Sequence, residues 1–299
     1  MFSLLLLLVV NTGAESQILH FSLTERYALS TFPGEGGFGR ISDVSYSLDL
    51  DEILVADEVR RRIFTFKSDG TPEQALGVAT DIPPPSATVP GGDGKVYIVE
   101  ARTGKLFTLN RVEGEQVVPF RITGEKIMDE VRVSGLVRSR AGVLYLVTDD
   151  GKQIIMCDGE GHYRGMSDRG VRLGRLIAID VDDRGRIIAA TRGLIPLRLF
   201  DGSGSFLRNI EIRDLATDMS RSEIGGVAFD AQGRVWLTYP VDGLVRVFDE
   251  TGTLLDEIGS SEIPGGLFSP ADIEITPMGD LLILERGSNR VRCFSMELQ

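Results

Sequence analysis

Cysteine and histidine are nearly missing from this chain, with two of each in 299 residues. Two cysteines rule out a disulfide-stapled scaffold. Two histidines leave too few imidazoles for the histidine-rich zinc centres that drive hydrolysis and lysis. Positive charge is also short, 32 Lys and Arg against 44 Asp and Glu, giving a formal net charge of -12. Such a chain has no overall field to draw it to nucleic acid or an anionic membrane. Long apolar runs are absent too. The one run, Leu4 to Val10, falls far below the roughly 20 residues of a membrane-spanning helix. No stretch keeps a helical period, which argues against an α/β protein.

The chain does have glycine, 35 of them, spread along its length instead of gathered in a linker. Many close short apolar segments. Gly94, Gly142, Gly185, Gly233 and Gly279 follow one another at intervals of 43 to 48 residues. After each comes an apolar strand: Val96-Tyr97-Ile98-Val99, Leu144-Tyr145-Leu146-Val147, Ile187-Ile188-Ala189-Ala190, Val235-Trp236-Leu237-Thr238 and Leu281-Leu282-Ile283-Leu284. A short polar loop and an alternating strand follow, as in Leu244-Val245-Arg246-Val247-Phe248. Ile53 to Asp57 with Arg62 to Phe66 gives the same unit without the glycine. Short strands joined by tight glycine turns are the signature of antiparallel hairpins.

One unit of this size cannot bury both its faces, whereas units stacked around an axis can. The expectation is an all-β, six-bladed β-propeller of four-stranded antiparallel blades. Leu254 to Ile258 supplies an example of the fourth strand. The last unit ends after its third strand, and Gln17 to Leu29 precedes the first unit without belonging to a repeat. That segment is expected to provide the outer strand of the last blade and close the ring, leaving no open sheet edge. Cys157 and Cys293 then fall in blades on opposite sides and stay free thiols.

Leu4 to Val10, followed by the small residues Thr12 and Ala14, reads as a signal peptide over residues 1–14 with cleavage before Glu15. The rest, residues 15–299, forms a single domain expected in the periplasm or outside the cell.

The Arg-Ile/Val-x-Phe strand and the asparagine-arginine-aliphatic element, Asn289-Arg290-Val291 and in part Arg61-Arg62-Ile63, resemble the NHL repeat over nearly the whole chain. The resemblance implies a propeller fold; propellers of this kind host unrelated activities. Ile224-Gly225-Gly226-Val227 through Trp236 also resembles gluconolactonase-type propellers. That family carries a metal-binding aspartate where this chain has Gly225, so a ligand of that activity is missing.

Loops joining second to third strands crowd one face of a propeller and make the default binding surface. They carry Arg61, Glu100, Arg102, Asp149, Arg192, Tyr239, Glu285 and Arg286 as candidate ligand-binding residues, alongside ordinary loop positions. Eight arginines between Arg164 and Arg198, Arg169 and Arg172 among them, form either a solvated flank or an anion patch. Counting back from the turn glycines, Asp272 takes the place held elsewhere by Ala87, Gly135, Ala178 and Gly226, and Asp43 falls at or within one residue of it. With the ring closed the two carboxylates would be neighbours at the channel mouth, amid small residues that leave space. They could hold a hard cation such as Ca²⁺, share a proton, or accept backbone N–H groups at the strand entrance. His20 and His162 fall on a leader-proximal strand and an outer turn, so neither serves a channel triad. The function expected is non-catalytic binding of a protein, peptide or glycan on the loop face. The alternative is a Ca²⁺-dependent hydrolase or lyase. RNA binding is opposed by the charge.

Overall fold

The computed structural model describes residues 19–112, 114–124, 131–167, 171, 173–192, 197–212 and 223–299. The expected leader and the arginines 169 and 172 lie outside them.

Six four-stranded antiparallel sheets form the molecule, and no described residue is helical. In the first blade the strands run Ile41–Ser47, Glu52–Asp57, Arg62–Lys67 and Pro72–Leu76, from the axis outward. The other innermost strands are Pro85–Pro90, Val133–Arg138, Leu176–Val181, Val227–Phe229 and Pro270–Ile275. Each touches the innermost strand of the blades on either side, which closes a ring of six. The turns from innermost to second strand need positive φ. Gly94, Gly142, Gly185, Gly233 and Gly279 supply it at 71° to 85°, and Asp51 at 53° takes the same place in the first blade.

The last blade joins the two ends of the chain. Pro270–Ile275, Asp280–Glu285 and Arg290–Leu298 are completed by Phe21–Leu29, which pairs antiparallel with Arg290–Leu298 from Phe21↔Leu298 to Leu29↔Val291. Phe21 then reaches the neighbouring blade, its ring edge-on to Trp236 at 4.9 Å and under the Arg234 guanidinium at 4.7 Å.

The core is six clusters of buried apolar side chains, one between each pair of adjacent blades. The cluster between the last and first blades, for example, joins Leu282 and Leu284 to Val44, Val55 and Phe64. This distribution follows from the strand period. The alternate side chains of every central strand face the two flanking sheets, so both sets must be apolar. The second strands are accordingly buried almost throughout, as in Ile53 to Ala56 and Leu281 to Leu284. Cys157 and Cys293 are buried and free, in the third and last blades.

Candidate functional site

The innermost strands enter the ring through a common irregularity. Register slips by one residue between Ile41 and Asp43, Pro85 and Ala87, Val133 and Gly135, Leu176 and Ala178, and Pro270 and Asp272. The bulge puts Asp43, Ala87, Gly135, Ala178 and Asp272 at equivalent positions, with Gly226 in the same place in the fifth blade, its carbonyl accepting the amide of Thr238.

An innermost strand has one unpaired edge, and its outward amides need acceptors. Carboxylates of the preceding blade provide them. Asp272 Oδ2 accepts the amide of Val44 at 3.2 Å, and Asp43 Oδ2 accepts the amide and hydroxyl of Thr88 at 2.8 and 2.9 Å. Two residues further along, Asp180 Oδ2 accepts the amide of Phe229 at 2.7 Å, and the Tyr46 amide bears on the Glu274 carboxyl. Four carboxyls thus hold three of the six junctions around the ring. Two of the other junctions close by proximity. A Cβ on Gly226 would stand 2.8 Å from the Asp272 Cα, and one on Gly135 2.6 Å from the Leu176 Cδ2. The small residues were expected to leave space for a cation; at these two positions they bring neighbouring blades together instead.

The four carboxyls border the bore and are half-buried. Burial and the Asp272 charge push the Asp43 carboxyl well above the usual carboxylate range, the adjoining Asp272 side chain adding to the rise. Burial raises Asp272 to about 6 against the opposing pull of the Val44 and Ile273 amides. It raises Asp180 to about 7 despite the Phe229 and Val181 amides. Glu274 is pushed well up by burial and then by Asp180, Asp272 and Asp43. Crowded carboxyls in such a place hold protons at neutral pH or gather a cation.

The bore opens into a funnel of about 600 Å³ on the face of the turns between innermost and second strands. All six blades contribute to its wall, with Asp180 and Glu274 on the inner side and Leu48, Pro90, Arg138, Asp182, Asp230 and Met278 toward the rim. Sequence reasoning placed binding on the other face and passed over Asp180 and Glu274. The signal was present: an acid in an otherwise apolar strand, in Leu176–Val181 and, two residues after Asp272, in Pro270–Ile275.

On the opposite face the eight loop candidates separate. Arg102, Asp149, Arg192 and Arg286 are exposed, and Arg192 pairs with Glu223 at 3.0 Å. Half-buried Glu100 takes the Thr103 hydroxyl. Half-buried Arg61 acts within the fold: at φ 55° its Nε donates to the Ile82 carbonyl at 2.9 Å, fastening the first blade to the entrance of the second. Asn289, at φ 51°, does the same from last blade to first, accepting the Ile41 amide at 3.1 Å and donating to the Phe38 carbonyl at 2.8 Å. Tyr239 and Glu285 are fully buried. Each ends a second strand and pairs across it, Tyr239 with Leu244 and Glu285 with Arg290. The Arg246 guanidinium covers the Tyr239 ring at 4.6 Å, and Glu285 binds Arg290 at 2.7 Å and Arg292 at 3.4 Å.

Both histidines lie away from the bore. His20 stands near Asp256 beside the outer edge of the fifth blade, and His162 folds onto Asp158 at 3.1 Å in an outer turn of the third. A Cβ on Gly225, where gluconolactonase-type propellers carry an aspartate, would lie 2.8 Å from the Pro240 Cγ, the Pro270 carbonyl oxygen and the Thr238 Oγ1.

No protein-family model matches this sequence, and no curated protein does. Solved structures do. A virginiamycin B lyase from Staphylococcus aureus is 15% identical, over 94% of this chain and 88% of that one, with a TM-score of 0.61. A gluconolactonase from Xanthomonas campestris is 14% identical, over 94% and 92%, with a TM-score of 0.64. The WD40 β-propeller domain of Doa1 is 17% identical, over 89% and 80%, with a TM-score of 0.58. At these identities the likeness is one of fold, and the fold is that of a six-bladed β-propeller.

Proposed function

We propose that this chain is a non-catalytic, extracytoplasmic binding propeller of NHL type, which takes a protein, peptide or glycan group into the funnel. The observation that carries the reading is the funnel itself, a concavity of about 600 Å³ fed by all six blades. Its walls are held in place: Asp182 and Asp230 accept turn amides and bind Arg186 at 2.7 Å and Arg234 at 2.5 Å. A pre-formed cleft with fixed polar groups binds without first being ordered. The matching left-handed turns at Arg61 and Asn289 support the NHL-type repeat. The apolar run from Leu4 to Val10 supports export.

Lyase chemistry of the neighbouring kind finds little support. A virginiamycin B lyase of this fold is catalytically inactive once a single histidine is replaced by alanine, and both histidines of this chain stand on outer segments. The test is a thermal-shift screen of peptides and glycans on the wild type and on Ala231→Trp, which sets a large ring at the funnel mouth. Ligands that stabilise the wild type and fail on the variant support the reading. Lactone hydrolysis or streptogramin cleavage by the purified protein would overturn it.

A second reading, a Ca²⁺-dependent hydrolase or lyase, draws on the contact between Asp43 and Asp272. Melting with EDTA and then with added Ca²⁺ decides it. An unmoved midpoint removes the cation.

A further inference from the structure

The funnel is unevenly charged. Its lining carries six carboxylates, Asp49, Asp180, Asp182, Asp183, Asp230 and Glu274, against three guanidiniums, Arg138, Arg140 and Arg234. The guanidiniums are already engaged at the rim, Arg138 with Asp49 at 3.5 Å, Arg140 with Asp183 at 3.7 Å and Arg234 with Asp230 at 2.5 Å. Asp182 has Arg186. Among the described residues no basic side chain pairs with Asp180 or Glu274, which stand deepest.

A separate observation points to the same spot. Ser45 lines the funnel at the strand position matching Asp180 and Glu274, is 8% exposed, and has a hydroxyl without a hydrogen-bond partner. The reason lies in the next blade. Asp180 accepts the amide of Phe229, the Tyr46 amide bears on Glu274, and the residue at the corresponding place facing Ser45 is Pro90, which has no N–H. Ser45 is left with an unused acceptor, as is Ser47 two residues along the same strand, and a buried polar atom without a partner is costly unless something arrives to use it.

The outer part of the funnel is of different character. Leu48 is 46% exposed and Met278 83%, and Val89, Pro90, Val137 and Phe229 continue the apolar wall inward. A bare metal ion would leave this volume unfilled. A cationic head on an apolar stem would fill both parts.

We propose that the funnel binds an alkylammonium or guanidinium group on an apolar stem, its head set between Glu274, Asp180 and the Ser45 hydroxyl and its stem against Leu48, Pro90 and Met278. The inference rests on the binding reading and names the class of ligand. A lysine or arginine side chain of a peptide and a free amine share this chemistry. Three to five N–H donors of such a head match two carboxylates and a hydroxyl. The groups facing the head are Asp180 and Asp182 from the fourth blade, Asp272 and Glu274 from the last, and Asp43 from the first, with Arg286 acting on Asp272 from outside the funnel. In the empty protein the raised carboxyls of Asp180, Glu274 and Asp43 hold protons near neutrality, so binding a cation expels protons.

The test is calorimetric titration with butylamine and with acetylated, amidated Gly-Lys-Gly and Gly-Arg-Gly, taking Gly-Gln-Gly as the neutral control. The lysine and arginine probes are expected to bind and the glutamine probe to fail. Loss of one proton-bearing carboxyl near pH 7 makes the complex about tenfold tighter at pH 8 than at pH 6. Buffers of different ionisation heat should report the released protons. Glu274→Gln and Asp180→Asn, which keep shape and amide acceptors, should each weaken binding about tenfold or more, and Ser45→Ala by less. Binding of butylamine but not the peptides assigns the site to small amines, and the reverse to peptide side chains. The inference is overturned if no cationic probe binds, if the carboxamide variants bind as well as the wild type, or if Gly-Gln-Gly binds equally. Should a neutral ligand bind and be blocked by Ala231→Trp, the binding reading survives and the cationic head alone is lost.

Discussion

The carboxylate of Asp272 in the last blade accepts the backbone amide of Val44 in the first at 3.2 Å, across the junction between the two sheets. The bond fastens the exposed edge of one sheet to the side chain of another. Asp272→Ala would leave that amide without its acceptor and is expected to cost about 1–3 kcal/mol. Asp272→Asn keeps a carbonyl oxygen in place and should cost far less. Urea unfolding of the two variants beside the wild type checks the difference.

The raised carboxyls make stability fall as pH rises. Asp272 at about 6 and Asp180 at about 7 bind protons more tightly in the folded protein than in the unfolded chain, where the ordinary value is 3.8. Their contribution is complete below that value and is lost progressively as pH climbs through 6 and 7. The midpoint of thermal unfolding, measured without added ligand, is expected to decline over this window. Asp180→Asn should flatten the upper part of the decline. A midpoint that rises steadily from pH 4 to pH 7.5 in the wild type would contradict the assignment.

Ring closure depends on a few anchors in the strand Phe21–Leu29. Phe21 packs on Trp236, sits beneath Arg234 and donates its amide to Asp256 at 2.7 Å. Phe21→Ala is expected to destabilise by about 3–5 kcal/mol, and hydrogen exchange should rise first along Phe21–Leu29 and its partner Arg290–Leu298. Uniform exchange around the ring would show that the seam is no weaker than other junctions.

Gly225→Asp restores the residue type of gluconolactonase-type propellers and should fail to restore a metal site. The new side chain would start within 2.8 Å of Pro240, Pro270 and Thr238. Loss of stability without a gain in metal-induced stabilisation is the expected outcome. Calorimetry with Ca²⁺ and Zn²⁺ tests it.

The ring itself was legible because each unit repeats one physical requirement, a residue able to take positive φ before a strand buried on both faces. The interval between glycines set the number of sheets, and the unrepeated segment before the first unit revealed the closing strand. Asp43 and Asp272 could be aligned by counting from the turns. Asp180 and Glu274 escaped because they stand two residues past the aligned position, where alternation returns the side chain to the same side. Tyr239 and Glu285 misled for a related reason. A polar residue at the end of an apolar run reads as the start of a loop, although the strand still pairs through it. The open side of the funnel was not legible, since turns look alike in sequence whichever end of the bore they surround.

Because Phe21–Leu29 finds its place only beside Arg290–Leu298, a growing polypeptide cannot complete its sixth sheet until that distant partner has been synthesised. Until then the earlier strand has nothing to pair with. The sixth sheet is therefore fastened as a clasp is, by two segments from far apart in the chain.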